Sequence, residues 1–150
     1  MTARVAGNRE DTFLVTVSLI DAVTNHNHDL GIWDMLTGGG LDSDDVTYYP
    51  GGLGAAITLG GRQKPDAVTV ERLYDTNDDH AKIQTLYNNT GKGILMVAMA
   101  PIDDNGNVFS QAITWSGKLK KVTQAQVNSE GNAAAKITLE MTVQNAPALI

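Results

Sequence analysis

Cysteine is absent from the 150-residue chain, which excludes disulfides and thiolate metal sites and leaves the redox compartment open. Histidine is scarce, with only His26, His28 and His80. On a strand His26 and His28 would share a face, a spacing that suits a metal held by neutral imidazoles. A structural zinc site normally takes four ligands, so the simpler reading is a solvated polar loop. Basic residues are outnumbered, 11 Lys and Arg against 17 Asp and Glu, for a net charge of -6. That argues against a general nucleic-acid binder, though an acidic wall can let DNA slide past by repelling its backbone. No apolar run approaches the roughly 18 residues of a membrane span, and residues 1–10 lack the apolar stretch of a signal peptide. The expectation is a protein made and kept in a cytosol, without membrane insertion.

Catalytic signatures are missing too. Gly52 and Gly54 begin a dinucleotide-type spacing, but Ile57 stands where the last glycine belongs. Asp103-Asp104-Asn105-Gly106-Asn107 opens like a calcium loop, but Val108 and Thr114 replace the required glycine and glutamate. No nucleophile sits beside a base, and no phosphate loop or metal set emerges. No enzyme activity and no cofactor are expected.

What is present reads as one domain, 1–150, with 42% apolar and 19% charged residues, the balance of a globular protein. A polar N-terminal arm, 1–11, precedes a strand with Phe13, Val15, Val17 and Leu19 on one face. Residues 31–36 suit a short strand that closes a hairpin with it. Residues 37–54 contain three consecutive glycines and show no clear period, which predicts a long loop. Asp42, Asp44 and Asp45 in that loop invite a weak calcium reading, and Tyr48 and Tyr49 suit an interface. A short apolar run, 55–59, leads to an expected Gly60-Gly61 turn and a basic connector, 62–65.

Residues 67–74 alternate, with Arg72 interrupting the apolar face. Thr76 and Asp79 approximate a capping box for an amphipathic helix over 78–89, with a stripe of Ile83, Leu86 and Tyr87 and a stop at Gly91. Residues 93–100 are apolar on both faces, which predicts a strand between two layers or at a subunit contact. An Asn-Gly turn joins it to a strand over 108–116 that carries Phe109, Ile113 and Trp115 on one face. Lys118, Lys120 and Lys121 suit a solvated edge. The closing strand puts Ile137, Leu139, Met141 and Val143 inward, before a C-terminal tail, 144–150. The fold class is mainly β, antiparallel sheets in a sandwich or barrel-like arrangement, with one α-helix.

This order of elements resembles the tail tube protein of long-tailed bacteriophages and the related tube proteins of contractile injection and type VI secretion machines. The carrying pieces are Val68-Thr69-Val70-Glu71-Arg72, the helix over 78–89, the Asp-Asn-Gly turn and Trp115. The Tyr-Tyr-Pro-Gly-Gly segment at 48–52 and the triple glycine depart from the pattern and leave the subfamily open. The resemblance implies subunits in rings, usually hexameric, whose sheets join into one barrel around a lumen and whose rings stack into a tube. It implies self-assembly as the main partnership, alongside tape-measure, tail-tip or baseplate, and terminator proteins, and a sheath if the tail contracts. Genomic DNA would pass through without sequence-specific binding. The implied location is the virion tail, assembled in the host cytoplasm. Ring stacking is assigned by the resemblance to 37–54 as an inter-ring loop, through Leu41, Asp42, Asp44, Asp45, Tyr48, Tyr49 and Leu53, and to the two termini. A different class, a carbohydrate-binding β-sandwich, would stack Trp33, Trp115 and the tyrosines on sugars.

Overall fold

The computed structural model describes residues 12–145 and 147–149, so the expected arm over 1–11 lies outside the described residues. The chain runs β1 (Phe13–Ile20), β2 (Asn27–Trp33), β3 (Met35–Gly38), β4 (Leu41–Tyr48), β5 (Ile57–Pro65), β6 (Val68–Leu73), α1 (Asp79–Asn88), β7 (Ile94–Pro101), β8 (Ile113–Thr123), β9 (Lys136–Val143) and β10 (Ala148–Leu149). All but β4 and β5 of these strands form one eight-stranded sheet in the order β2-β1-β7-β8-β9-β6-β3, with β10 on β8. Every pairing is antiparallel. The fold is mainly β with a single helix among the described residues, as the sequence predicts.

The first and last strands of that order, β2 and β3, are consecutive in the chain and separated by Asp34 alone. A sheet whose two ends lie one residue apart must curl on itself, which makes it barrel-like. Alternation decides which side is inside. Val15, Val17 and Leu19 of β1, Leu95 and Val97 of β7, Ile137, Leu139, Met141 and Val143 of β9, and Val68 and Val70 of β6 are all buried in one cluster. Leu86 from α1 closes that cluster, with Ile83 half-buried beside it. Tyr87, the third residue of the expected stripe, is exposed and reaches Gln124.

The seam between β2 and β6 is closed by side chains. Arg72 donates to the Leu30 carbonyl and, at 3.3 Å, to the Ile32 carbonyl, so the free edge of β2 meets a guanidinium. The same group lies 4.4 Å from the centre of the Trp33 ring and pairs with Asp79. Arg72, which interrupts the apolar pattern of β6, is therefore the bolt of the barrel and not a solvated edge residue. Asp79 does not complete a capping box with Thr76: its carboxylate accepts the Asp75 N–H at 3.0 Å and faces Arg72. At the other end of α1, buried Asn89 accepts the Ala22 N–H at 2.8 Å and donates to the Thr85 carbonyl at 2.8 Å, tying the helix end to the β1–β2 connection.

Two strand expectations shift. The strand predicted over 108–116 begins only at Ile113; before it the ladder is a single bridge, Ile102 to Val108. Pro101 ends β7 and has no N–H to give the ladder; beyond it only that bridge and the Phe109 N–H, which donates to the Pro101 carbonyl at 3.4 Å, continue the pairing, and the Phe109 side chain is exposed. The doubly apolar β7 packs mainly on one face, through Leu95 and Val97; on the other, Ile94 and Met96 are exposed and Ala100 at the strand's end is buried. The C-terminal residues are not a free tail: Ala148 and Leu149 pair with Thr114 and Ile113. No described helix is long and apolar enough to cross a membrane.

Candidate functional site: a projecting amphipathic hairpin

Residues 37–54, read from sequence as a loop, instead contain β4, which pairs with β5 in a separate two-stranded sheet. The register sets Val46 opposite Leu59 and Tyr48 opposite Ile57. Directly opposed residues, and those two apart on one strand, share a face. One face of the ribbon is thus Val46, Tyr48, Ile57 and Leu59, and the other carries Thr47 and Thr58. No residue of β4 is buried, and of β5 only Pro65 is half-buried. Tyr49 is 75% exposed beside the turn, and Leu53 at the tip is fully exposed.

Gly60 and Gly61 lie inside β5 and do not form the expected turn. Between Ser43 and Asp45 the register shifts: Gly61 and Arg62 of β5 stand against Asp44 alone, so β5 carries the extra residue of a bulge. A Cβ on Gly61 would collide with the Asp44 carbonyl, which is why that position takes glycine. The chain instead reverses at 49–56, beyond Tyr48.

The root of the hairpin is fixed. Gly39 is buried at φ +80, its N–H donates to the Ala67 carbonyl at 3.2 Å, and its carbonyl accepts the Trp115 indole N–H at 3.0 Å. The Gly40 carbonyl accepts the Asp66 N–H at 2.8 Å. A Cβ on Gly39 would sit 2.9 Å from the indole ring. Trp115, a core residue, therefore aims the arm. Gly39→Ala should cost about 1–2 kcal/mol for the left-handed backbone alone, plus displacement of the indole. Near-ultraviolet circular dichroism of Trp115 should change together with a lower Tm; an unchanged spectrum and Tm would refute the clamp.

The structure separates the residues predicted from the loop. Leu41 pairs with Pro65 at the root, Val46 and Tyr48 lie along the apolar face, and Tyr49 and Leu53 gather at the tip. Asp44 pairs with Lys64 at 2.7 Å, both exposed, so the contact contributes little. Asp42 accepts the Ser43 N–H at 2.8 Å. Among the described residues no group of three or more His, Asp or Glu side chains is placed to hold a metal ion. His28 enters β2 and lies 3.8 Å from Asp21, whose carboxyl is held below its ordinary pKa mainly by the Val23 N–H. Trp33 and Trp115, the proposed sugar platform, are 3% and 5% exposed and serve the core. Val46, Ile57 and Leu59 are the residues the sequence reading missed; the paired signal was Val-Thr-Tyr and Ile-Thr-Leu across a Pro-Gly-Gly break.

No family model matches the chain, and no curated protein matches it significantly. Solved structures match along almost its whole length. A chain of the sheath/tube terminator of an extracellular contractile injection system (PVC) superposes with a TM-score of 0.74 at 12% identity, covering 99% of both chains. The chain shares the fold of these tail components. A chain from the tube-terminating cap of the anti-feeding prophage gives 0.70 at 14% identity, covering 100% of this chain and 95% of its own. A chain from the extended PVC sheath–tube complex gives 0.67 at 13% identity, with 95% and 90% covered.

Proposed function

We propose that this chain is a structural subunit of a tail tube, polymerising as stacked, hexameric rings around a lumen that conducts DNA in a phage tail. The observation that supports this most is the β4–β5 ribbon. A lone two-stranded hairpin is marginally stable in water at best, and this one exposes an entire apolar face. Such an arm needs a surface to lie on, and the described residues place none beneath it. The exposed outer face of β7, Ile94 and Met96, gives a second apolar strip for lateral contact within a ring. A head-to-tail contact that closes makes rings, and rings with a projecting arm stack. Tape-measure, terminator and baseplate or tail-tip proteins are the expected partners, with the particle tail as the location after assembly in the host cytoplasm. A second reading, the tube of a contractile injection or type VI machine with a sheath around it, is favoured by the fold matches to the contractile assemblies. The test is electron microscopy of the purified protein at rising concentration. Rings or tubes with a central channel are expected. Monomers at every concentration, including with tail-tip complexes added as initiators, would overturn the proposal.

A further inference from the structure

Curling leaves the barrel closed at one end of the β2–β3 passage and open at the other. At the closed end the Asp34 backbone N–H donates to the Glu71 carbonyl at 3.1 Å, and Arg72 bridges to β2. Beyond it β3 pairs only with β6, and the first two residues of β1, Phe13 and Leu14, pair only with β7. The gap between those two edges is a groove of about 410 Å³ lined by Phe13, Val15, Met35, Leu36, Thr37 and Met99, with Asp34 at its closed end. Its floor reaches the core: Val15 is buried, and Leu36 and Met99 pack against the central cluster. A strand edge beside an apolar trough is the geometry in which an added strand is bound.

We infer that this groove receives the β4–β5 ribbon of a second copy, with Val46, Tyr48, Ile57 or Leu59 seated over Leu36 and Met99. This deepens the tube proposal and rests on it. Three observations favour this occupant. Among the described residues, the ribbon and the groove are both apolar, and both border strand edges that no further strand covers. Their chemistry is complementary, because the ribbon face is uncharged, the trough is uncharged except for Asp34, and the Tyr48 hydroxyl can donate to that carboxylate, which also accepts the Leu73 N–H at 3.3 Å. The ribbon's root is held by Ala67, Asp66 and Trp115, and none of its residues is among the described lining of its own groove. Knob and hole on different parts of one chain give a contact that repeats from copy to copy.

The cysteine-free sequence makes the test direct. Leu36→Cys and Tyr48→Cys chains are mixed at assembling concentration and oxidised. A covalent heterodimer is expected from the mixture, with little from a mixture of Tyr48→Cys and a Gln84→Cys control on the exposed side of α1. Separately, Thr37→Trp fills the trough from an exposed position and should lower assembly by roughly tenfold or more while the monomer stays folded by circular dichroism. Equal cross-linking to Gln84→Cys, or normal assembly of Thr37→Trp, would overturn the inference. So would a Leu36–Tyr48 link within a dilute double variant, or a link from Thr2→Cys to Leu36→Cys within one monomer. If the parent chain forms tubes and these cross-links fail, the groove assignment falls and the tube reading stands. If the parent chain forms no tubes, both fall.

Discussion

Asp79→Ala is expected to destabilise the protein by about 3–5 kcal/mol, because it leaves the Arg72 guanidinium largely buried without its counter-charge. The Asp79 side chain is 3% exposed and that of Arg72 14%, so water cannot replace the lost partner in place. The loss has a second part. Asp79 also accepts the Asp75 N–H, which leads the chain into α1, so the helix start loosens as well. Arg72→Ala should be comparably severe, since it strips the Leu30 and Ile32 carbonyls of a donor and uncovers Trp33. Removing both charges with Arg72→Met and Asp79→Leu should recover much of the loss, because an apolar pair leaves no buried charge behind. Thermal and urea unfolding of the four proteins gives the comparison. With about 2–4 °C per kcal/mol for a domain of this size, the single variants should melt at least about 6 °C lower. Single variants that melt within a degree of the parent would show that the pair does not bolt the barrel.

The second large effect concerns assembly and not stability. Leu41 and Pro65 face each other at the root of the hairpin, so residues 42–64 can be replaced by Asn-Gly, which closes two strands with a tight turn. Nothing buried is removed, because every residue of β4 and all of β5 before Pro65 is exposed. The trimmed protein should therefore keep its Tm within a few degrees. It should also remain monomeric where the parent chain assembles, because its largest uncovered apolar face is gone. A milder version, Val46→Thr with Leu59→Thr, keeps the ribbon and makes the face polar; it should weaken assembly in the same direction. Sedimentation velocity across a concentration series reads both. Tubes of ordinary length from the trimmed chain would remove the hairpin from the assembly mechanism.

The sequence revealed elements where a buried face imposes a period. β9 alternates cleanly because Ile137, Leu139, Met141 and Val143 all reach the core; β1 was legible for the same reason, and α1 through Ile83 and Leu86 but not Tyr87. The hairpin was not legible because folding of one chain buries neither of its faces. Its apolar period covers only Val46 to Tyr48 and Ile57 to Leu59, and glycines and aspartates surround both. Gly60-Gly61 looked like a turn because the Asp44 carbonyl that demands glycine at Gly61 lies on the other strand. Arg72 looked like an interruption because its partners, Trp33 and Asp79, come from different elements, and only the curl of the sheet brings β2 to β6. The candidate residues Leu41, Asp42, Asp44, Asp45, Tyr48, Tyr49 and Leu53 were assigned through the tube resemblance; the structure leaves them exposed, and their arrangement into a root, a face and a tip needed the register.

The most direct measurement is a cryo-electron microscopy reconstruction of the assembled parent protein, fine enough to trace β4 and β5. Stacked rings are expected, with the ribbon lying on a neighbouring copy and Tyr48 covered. A tube in which the ribbon projects freely into solvent or the channel, touching no other copy, would contradict it.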